Sequence, residues 1–141
     1  MIQRIQTVYL FLGALTLSVL GVFDTPWGST AAATQVWYVP SLIGLLVVTA
    51  GTAIGAIFLY EQRKTQRTVV VGVQVLTVGL AGVCYAGLYL TGELHFGGDA
   101  GLLWGKTIAL LLPIVAYGFF WLARRGIDHD IELVKSMDRL R

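Results

Sequence analysis

Charge is the scarcest commodity in this 141-residue chain. Only 13% of its residues are charged, against about 25% in a typical soluble domain, while 56% are hydrophobic and the mean hydropathy is +0.74. Too few polar side chains remain to cover a water-facing surface, so lipid is the expected solvent. The net charge of +2 is too small to imply nucleic acid. Cysteine is nearly missing as well. With Cys84 alone, an intramolecular disulfide, a CxxC redox pair and a thiolate metal site are excluded, and Cys84 reads as a small apolar-like residue inside a helix. No Asp, Glu or His occupies the middle of an apolar run. Proton-coupled transport normally needs an ionisable group at that depth, and haem held between helices needs histidine there. His95 and His129 instead fall in polar segments, and His95, beside Glu93 and Asp99, reads as a solvated loop residue rather than a metal ligand. No nucleophile–base arrangement or metal-ligand spacing can be assembled, so neither an enzyme nor a bound cofactor or metal is expected.

What is present is apolar length. Four runs, at about 5–23, 37–60, 68–90 and 102–123, each approach the roughly 20 residues that a hydrocarbon core of about 30 Å requires. Backbone polar groups in lipid must be satisfied within the segment, which makes these runs helices. Runs such as LIGLLVV and IALLLPIV lack the alternation of a membrane β-strand. Arg4 and the first apolar run have the outline of a secretory signal, but no convincing small-residue cleavage site follows, and the run reads as a retained first helix. The whole of 1–141 is expected to be one membrane domain.

Cations set its orientation. Arg4 precedes the first run, Arg63, Lys64 and Arg67 fill the turn at 61–67, and Arg124, Arg125, Lys135, Arg139 and Arg141 follow the fourth run. The segments at 24–35 and 91–101 carry only Asp24, Glu93 and Asp99. In loops this short the positive-inside rule applies directly, placing both termini and the basic turn in the cytoplasm. Trp27, Trp37, Tyr38, Phe96 and Trp104 are expected to mark the outer interface, and Tyr60, Phe119, Phe120 and Trp121 the inner one. Lys106, the tenth cation, lies 18 residues before Arg124. That spacing corresponds to about 27 Å of helix and puts Lys106 near the outer edge, either snorkelling toward Asp99 or Glu93 or contacting an anion or lipid headgroup.

Within the runs, Gly51 and Gly55 form a GxxxG, and Gly82 with Ala86 gives a second small-xxx-small step. The short turn makes the second and third helices antiparallel neighbours, so these small faces are expected to meet, with Gly13, Ala14 and Ser18 serving the first helix. Gln74 should face a neighbouring helix, and Pro113, in mid-run, should kink the fourth by leaving the carbonyl of Ala109 without its usual donor. The tail at 124–141 changes character. Ile127, Ile131 and Val134 recur at helical spacing, and acidic residues precede basic ones. With Gly126 as the break, a short amphipathic helix at the cytoplasmic interface is expected, the other reading being a cytoplasmic extension of the fourth helix.

The opening MIQRIQTVYL, the turn IFLYEQRKTQ and the ending IELVKSMDRLR together resemble a family of small bacterial inner-membrane proteins, domain of unknown function 4293. Its members open with MIQRIQT, carry a basic turn after the second span and close on a pattern like DExLVxSxDRLR. The likeness runs from Met1 to Arg141 and departs at His129–Asp130–Ile131–Glu132, where the paired acidic residues are separated. The resemblance implies a four-span inner-membrane protein and supplies no catalytic residues. All three motif segments fall on the cytoplasmic side, where Glu61, Asp130, Glu132 and Asp138 could face Arg4, Arg63, Lys64 and Arg139 in one charged layer that locks the bundle or docks a partner.

The expected architecture is thus an all-α, integral-membrane four-helix bundle with a short amphipathic C-terminal helix. The expected role is a non-enzymatic accessory or structural component of an inner-membrane assembly, in contact with lipid and with a membrane-protein partner or further copies of itself. The alternative is an oligomeric transporter or channel for a small solute, which calls for a polar path lined by Thr49, Thr52, Thr77 or Gln74.

Overall fold

The computed structural model describes residues 2–95, 97–98, 101–102 and 104–139, with side chains over 5–95 and 104–139. The side chains of Arg4, Phe96 and Asp99, and all of Arg141, lie outside what is described. The chain is all-α. Four long helices, α1 (Ile2–Leu20), α4 (Tyr38–Phe58), α5 (Arg63–Leu90) and α6 (Trp104–Asp138), are joined by short connections. The 24–35 segment, expected as a loop, holds two short helices, α2 (Asp24–Trp27) and α3 (Thr30–Thr34). Ser29 forms the second of them by accepting from the Ala32 amide at 3.2 Å, an N-cap that composition alone does not reveal. Between α5 and α6 only a two-residue antiparallel pairing occurs, Gly97–Gly98 with Gly101–Leu102.

The long helices pack in a ring, α1 on α4, α4 on α5, α5 on α6 and α6 on α1. Neighbours run in opposite directions, as the contacts of Tyr38 with Gly87, Tyr85 with Leu110 and Gly13 with Phe120 require. One apolar core joins them, built on Leu10, Leu17, Leu42, Val73, Leu80, Phe120 and Ile127. The outside is apolar too. Val8, Phe11, Leu15, Val47, Val48, Phe58, Val75, Val78, Leu111 and Ile114 are all exposed, a belt far beyond the scattered apolar residues of a water-soluble surface. Helices α4, α5 and α6 are each long and apolar enough to cross a membrane, and α1 makes a fourth if it is counted together with the 24–34 segment, to which it is bent by 51°.

Close approach occurs at other glycines than those expected. A Cβ placed on Gly13 would overlap the Phe120 ring, and one on Gly87 would overlap the Tyr38 ring. Gly51, Gly55 and Gly82 have nothing within 4 Å of such a carbon, and with Ala86 they lie on the exposed faces of α4 and α5. The α4–α5 seam is built instead where the buried Tyr38 fits over Gly87 and Cys84, its hydroxyl 3.5 Å from the Cys84 carbonyl oxygen. Tyr38 is therefore a core residue and not an interfacial anchor.

The tail corrects a second expectation. No break occurs at Gly126, and α6 continues as one helix to Asp138. Gly126 lies against Gln6, whose Cγ would be 2.9 Å from an added Cβ. Phe120, Ala123, Ile127 and Asp130 form a buried stripe that passes through it without interruption. Packing against α1 thus outweighs the roughly 1 kcal/mol that glycine costs inside a helix. At 1.5 Å per residue, the 35 residues of α6 extend roughly 50 Å, well beyond one hydrocarbon thickness.

Pro113 is buried inside α6. Its ring displaces the backbone bonding of the preceding turn, and the Tyr85 hydroxyl of α5 donates to the Leu110 carbonyl there. The carbonyl that Pro113 deprives of its helical donor is that of Ala109, so the tyrosine bonds the acceptor next to it.

Candidate functional site

At one end of the ring the start of α1, the α4–α5 turn and the last third of α6 come together, held by side-chain contacts. The Gln6 amide donates to Asp130 Oδ2 at 2.7 Å, joining α1 to α6. The Gln66 amide donates to the Ala56 carbonyl at 3.0 Å, a second donor beside the Leu59 amide on an acceptor at the end of α4. Arg67 on α5 forms an ion pair with Asp128 on α6. Arg124, one turn earlier on α6, stands 3.8 Å from the other oxygen of the same carboxylate. Arg124 also reaches Gln74 Oε1, at 3.4 Å. Gln74 therefore faces α6 as expected, with its own amide nitrogen buried and without a partner among the described residues. Arg125 lies over the Trp121 ring, 5.6 Å from its centroid.

The sequence thus picks the right end and, in part, the wrong partners. Asp130 is only 6% exposed and turns inward to Gln6. The ion pairs among the described residues are made by Arg67, Arg124 and Asp128, none of which belongs to the expected charged layer. Gln6 went unnoticed although it sits in the opening motif, because a glutamine in an apolar helix announces a partner without saying which one.

The other described members of that layer line neighbouring recesses and are in no ion pair among the described residues. Glu61, Arg63, Lys64 and Asp138 line a groove of about 820 Å³ together with Gln62, Thr65, Ile131, Val134 and Lys135. Lys64 and Glu132 share a second recess of about 540 Å³ with Arg67 and Asp128. Glu132, Lys135 and Arg139 border a third, of about 460 Å³. From Glu132 to Arg139 α6 and the residue after it are exposed, including Leu133, Val134 and Met137.

The opposite end is tied by a different device. Gly92, at φ +71°, closes α5 so that the Glu93 amide bonds the Leu88 carbonyl at 2.8 Å and the Gly92 amide bonds that of Tyr89 at 3.0 Å. This is a Schellman turn. It aims the Glu93 carboxylate at the start of α3, where it accepts from the Thr30 amide at 3.0 Å and the Thr30 hydroxyl at 2.6 Å. Glu93 is thus engaged away from Lys106, which is half-buried in the first turn of α6 and in no ion pair among the described residues.

Thr49, Thr52 and Thr77 donate their hydroxyls to the carbonyls of Leu45, Val48 and Val73 one turn back on their own helices. A cavity of about 180 Å³ beside Pro113 is lined by Thr77, Val78, Ala81, Ile114 and Tyr117. Among the described residues no group of three or more His, Cys, Asp or Glu is placed to hold a metal ion.

The model of the family described as domain of unknown function (DUF4293) matches residues 2–140. The chain belongs to the DUF4293 family. Its match takes in α1, the basic turn and the projecting end of α6, so the contacts at the basic end lie within the family's own span. No curated protein and no solved structure matches this DUF4293 chain.

Proposed function

We propose that this DUF4293 protein is a four-span component of the bacterial cytoplasmic membrane, with both termini and the basic turn in the cytoplasm. We propose further that it acts without catalysis, as an accessory or structural subunit of a membrane assembly. The observation that carries the reading is the sorting of charge on an apolar-coated ring. All Lys and Arg residues except Lys106 belong to the segments at one end, and the helices between the ends present valine, leucine, isoleucine and phenylalanine outward. The positive-inside rule then assigns that end to the cytoplasm.

The accessory role draws support from how the interior and the tail are used. Interior hydroxyls serve their own helices, whereas α6 outruns the bundle and exposes Leu133 and Met137. That apolar edge, at i and i+4, fits a partner helix. Topology is tested by labelling Lys64→Cys, Lys135→Cys and Thr34→Cys variants of a Cys84→Ala chain with a membrane-impermeant maleimide in intact spheroplasts. Only Thr34→Cys should react before lysis, and labelling of Lys64→Cys would overturn the orientation. The role is tested by native electrophoresis of gently solubilised membranes. Leu133→Glu with Met137→Glu should convert a larger assembly into free chain. If the wild type migrates as a single chain even after crosslinking in the membrane, or if liposomes holding the pure protein pass small solutes, the accessory reading fails.

A further inference from the structure

The groove between the first turn of α5 and the end of α6 contains cations that the fold leaves unused. Arg67 and Arg124 are engaged by Asp128. Arg63, Lys64 and Lys135 line the groove, and none of them is in an ion pair among the described residues. Glu61 and Asp138 also line it, so three positive charges face two negative ones there.

The start of α5 adds to the imbalance. Helix N-termini carry exposed amides and the positive end of the helix dipole, and acidic or capping side chains normally answer both. Here the N-cap residue Gln62 makes no side-chain capping bond, and the first turn holds no acidic residue. Arg63 and Lys64 occupy it instead, adding positive charge where the backbone already presents it. An oxyanion in the groove would meet uncapped amides and ammonium or guanidinium groups together. The walls are not purely polar. Ile131 and Val134 of α6 line the same space, alongside the cations of the α5 turn.

We infer that this groove binds the phosphate of an anionic phospholipid headgroup, with Arg63, Lys64 and Lys135 on the phosphate and Ile131 and Val134 against the glycerol and upper acyl chain. The inference rests on the cytoplasmic membrane placement proposed above, where such lipids face the basic turn. Lipid is favoured over free phosphate because half of the groove's α6 wall is aliphatic and because the chain leading into its Glu61 wall carries Phe58 and Tyr60, both exposed.

The experiment is native mass spectrometry of the full-length protein in detergent, titrated in parallel with phosphatidylglycerol, phosphatidylcholine and inorganic phosphate. Phosphatidylglycerol should bind in preference to phosphatidylcholine. Each cation near an anionic lipid is worth roughly fivefold in affinity, so Lys64→Gln with Lys135→Gln should weaken phosphatidylglycerol binding roughly 30-fold. Lys64→Arg should retain it, and Lys106→Gln, at the far end, should leave it unchanged. Lys135 is exposed on the projecting helix, so Lys135→Gln alone keeps the test interpretable if the double variant misfolds. Equal binding of the two lipids, or full binding by the double variant, overturns the site. Displacement of phosphatidylglycerol by millimolar inorganic phosphate overturns the lipid assignment in favour of a free anion. The maleimide pattern is read independently, so a failure of the site does not mimic a failure of the topology.

Discussion

Gln6 and Asp130, 124 residues apart in sequence, meet in a 2.7 Å hydrogen bond that closes the ring between its first and last helices. Both side chains are buried, and Gly126 supplies the space, since a side chain there would collide with Gln6. Gln6, Gly126 and Asp130 therefore form one interlocking contact.

Asp130→Ala should destabilise the bundle by about 1–3 kcal/mol, because it leaves the buried Gln6 amide without an acceptor. Asp130→Asn keeps an acceptor oxygen and should recover much of the loss. In a double-mutant cycle with Gln6→Ala, the combined cost should fall short of the sum of the single costs. Thermal unfolding in one fixed detergent measures all three. Additive costs would show that the two residues act separately.

The glycines divide into two classes with opposite expected outcomes. Gly13→Ala and Gly87→Ala drive a methyl group into Phe120 and Tyr38, both fully buried, and overpacking of that kind costs about 1–3 kcal/mol. Gly51→Ala, Gly55→Ala and Gly82→Ala place the methyl group in open space and should leave the unfolding temperature of the single chain unchanged or raised. If instead one of these three loosens a larger assembly in the membrane while sparing the chain itself, the exposed small-residue face packs against another subunit.

These classes show where the sequence is legible and where it stops. Apolar length and the placement of nine cations suffice for the helices, their order and the clustering of basic segments at one end, because each depends on summed composition over many residues. Which small residue meets which ring depends on helix rotation about its own axis, and Gly87 lies about 140° around α5 from Gly82. GxxxG spacing carries no information on that angle. The tail failed for a related reason. Gly126 looks like a stop signal by itself, yet tertiary packing against Gln6 overrides local propensity. Asp130 could likewise be placed at the correct end, but its choice of an uncharged partner depends on burial, which no charge pattern encodes.

At the other end, Glu93→Ala should release α3. The exposed carboxylate bonds both the amide and the hydroxyl of Thr30, so its loss should raise hydrogen exchange at Thr30 and the following residues while the global unfolding temperature barely moves. Gly92→Ala should produce the same local signature with a larger penalty, about 1–2 kcal/mol, since an L-residue at φ +71° is strained. Unchanged exchange in Glu93→Ala would mean that Ser29 alone holds the short helix.

Tyr85 and Pro113 offer the sharpest test of how α6 tolerates a proline in mid-helix. The Tyr85 hydroxyl donates to the Leu110 carbonyl in the turn before the proline. Tyr85→Phe removes that donor and little else, and since the Leu110 carbonyl keeps the Ile114 amide as its helical donor the cost should be about 0.5–1.5 kcal/mol. Pro113→Ala restores a backbone donor and removes the ring that crowds the preceding turn. The restored amide reaches the Ala109 carbonyl and not that of Leu110, so Tyr85→Phe should cost about the same with and without Pro113. Unfolding of the four proteins under identical detergent conditions gives the coupling directly. A Tyr85→Phe cost that disappears in the Pro113→Ala background would show instead that the ring of Pro113 weakens the helical bond of the Leu110 carbonyl as well.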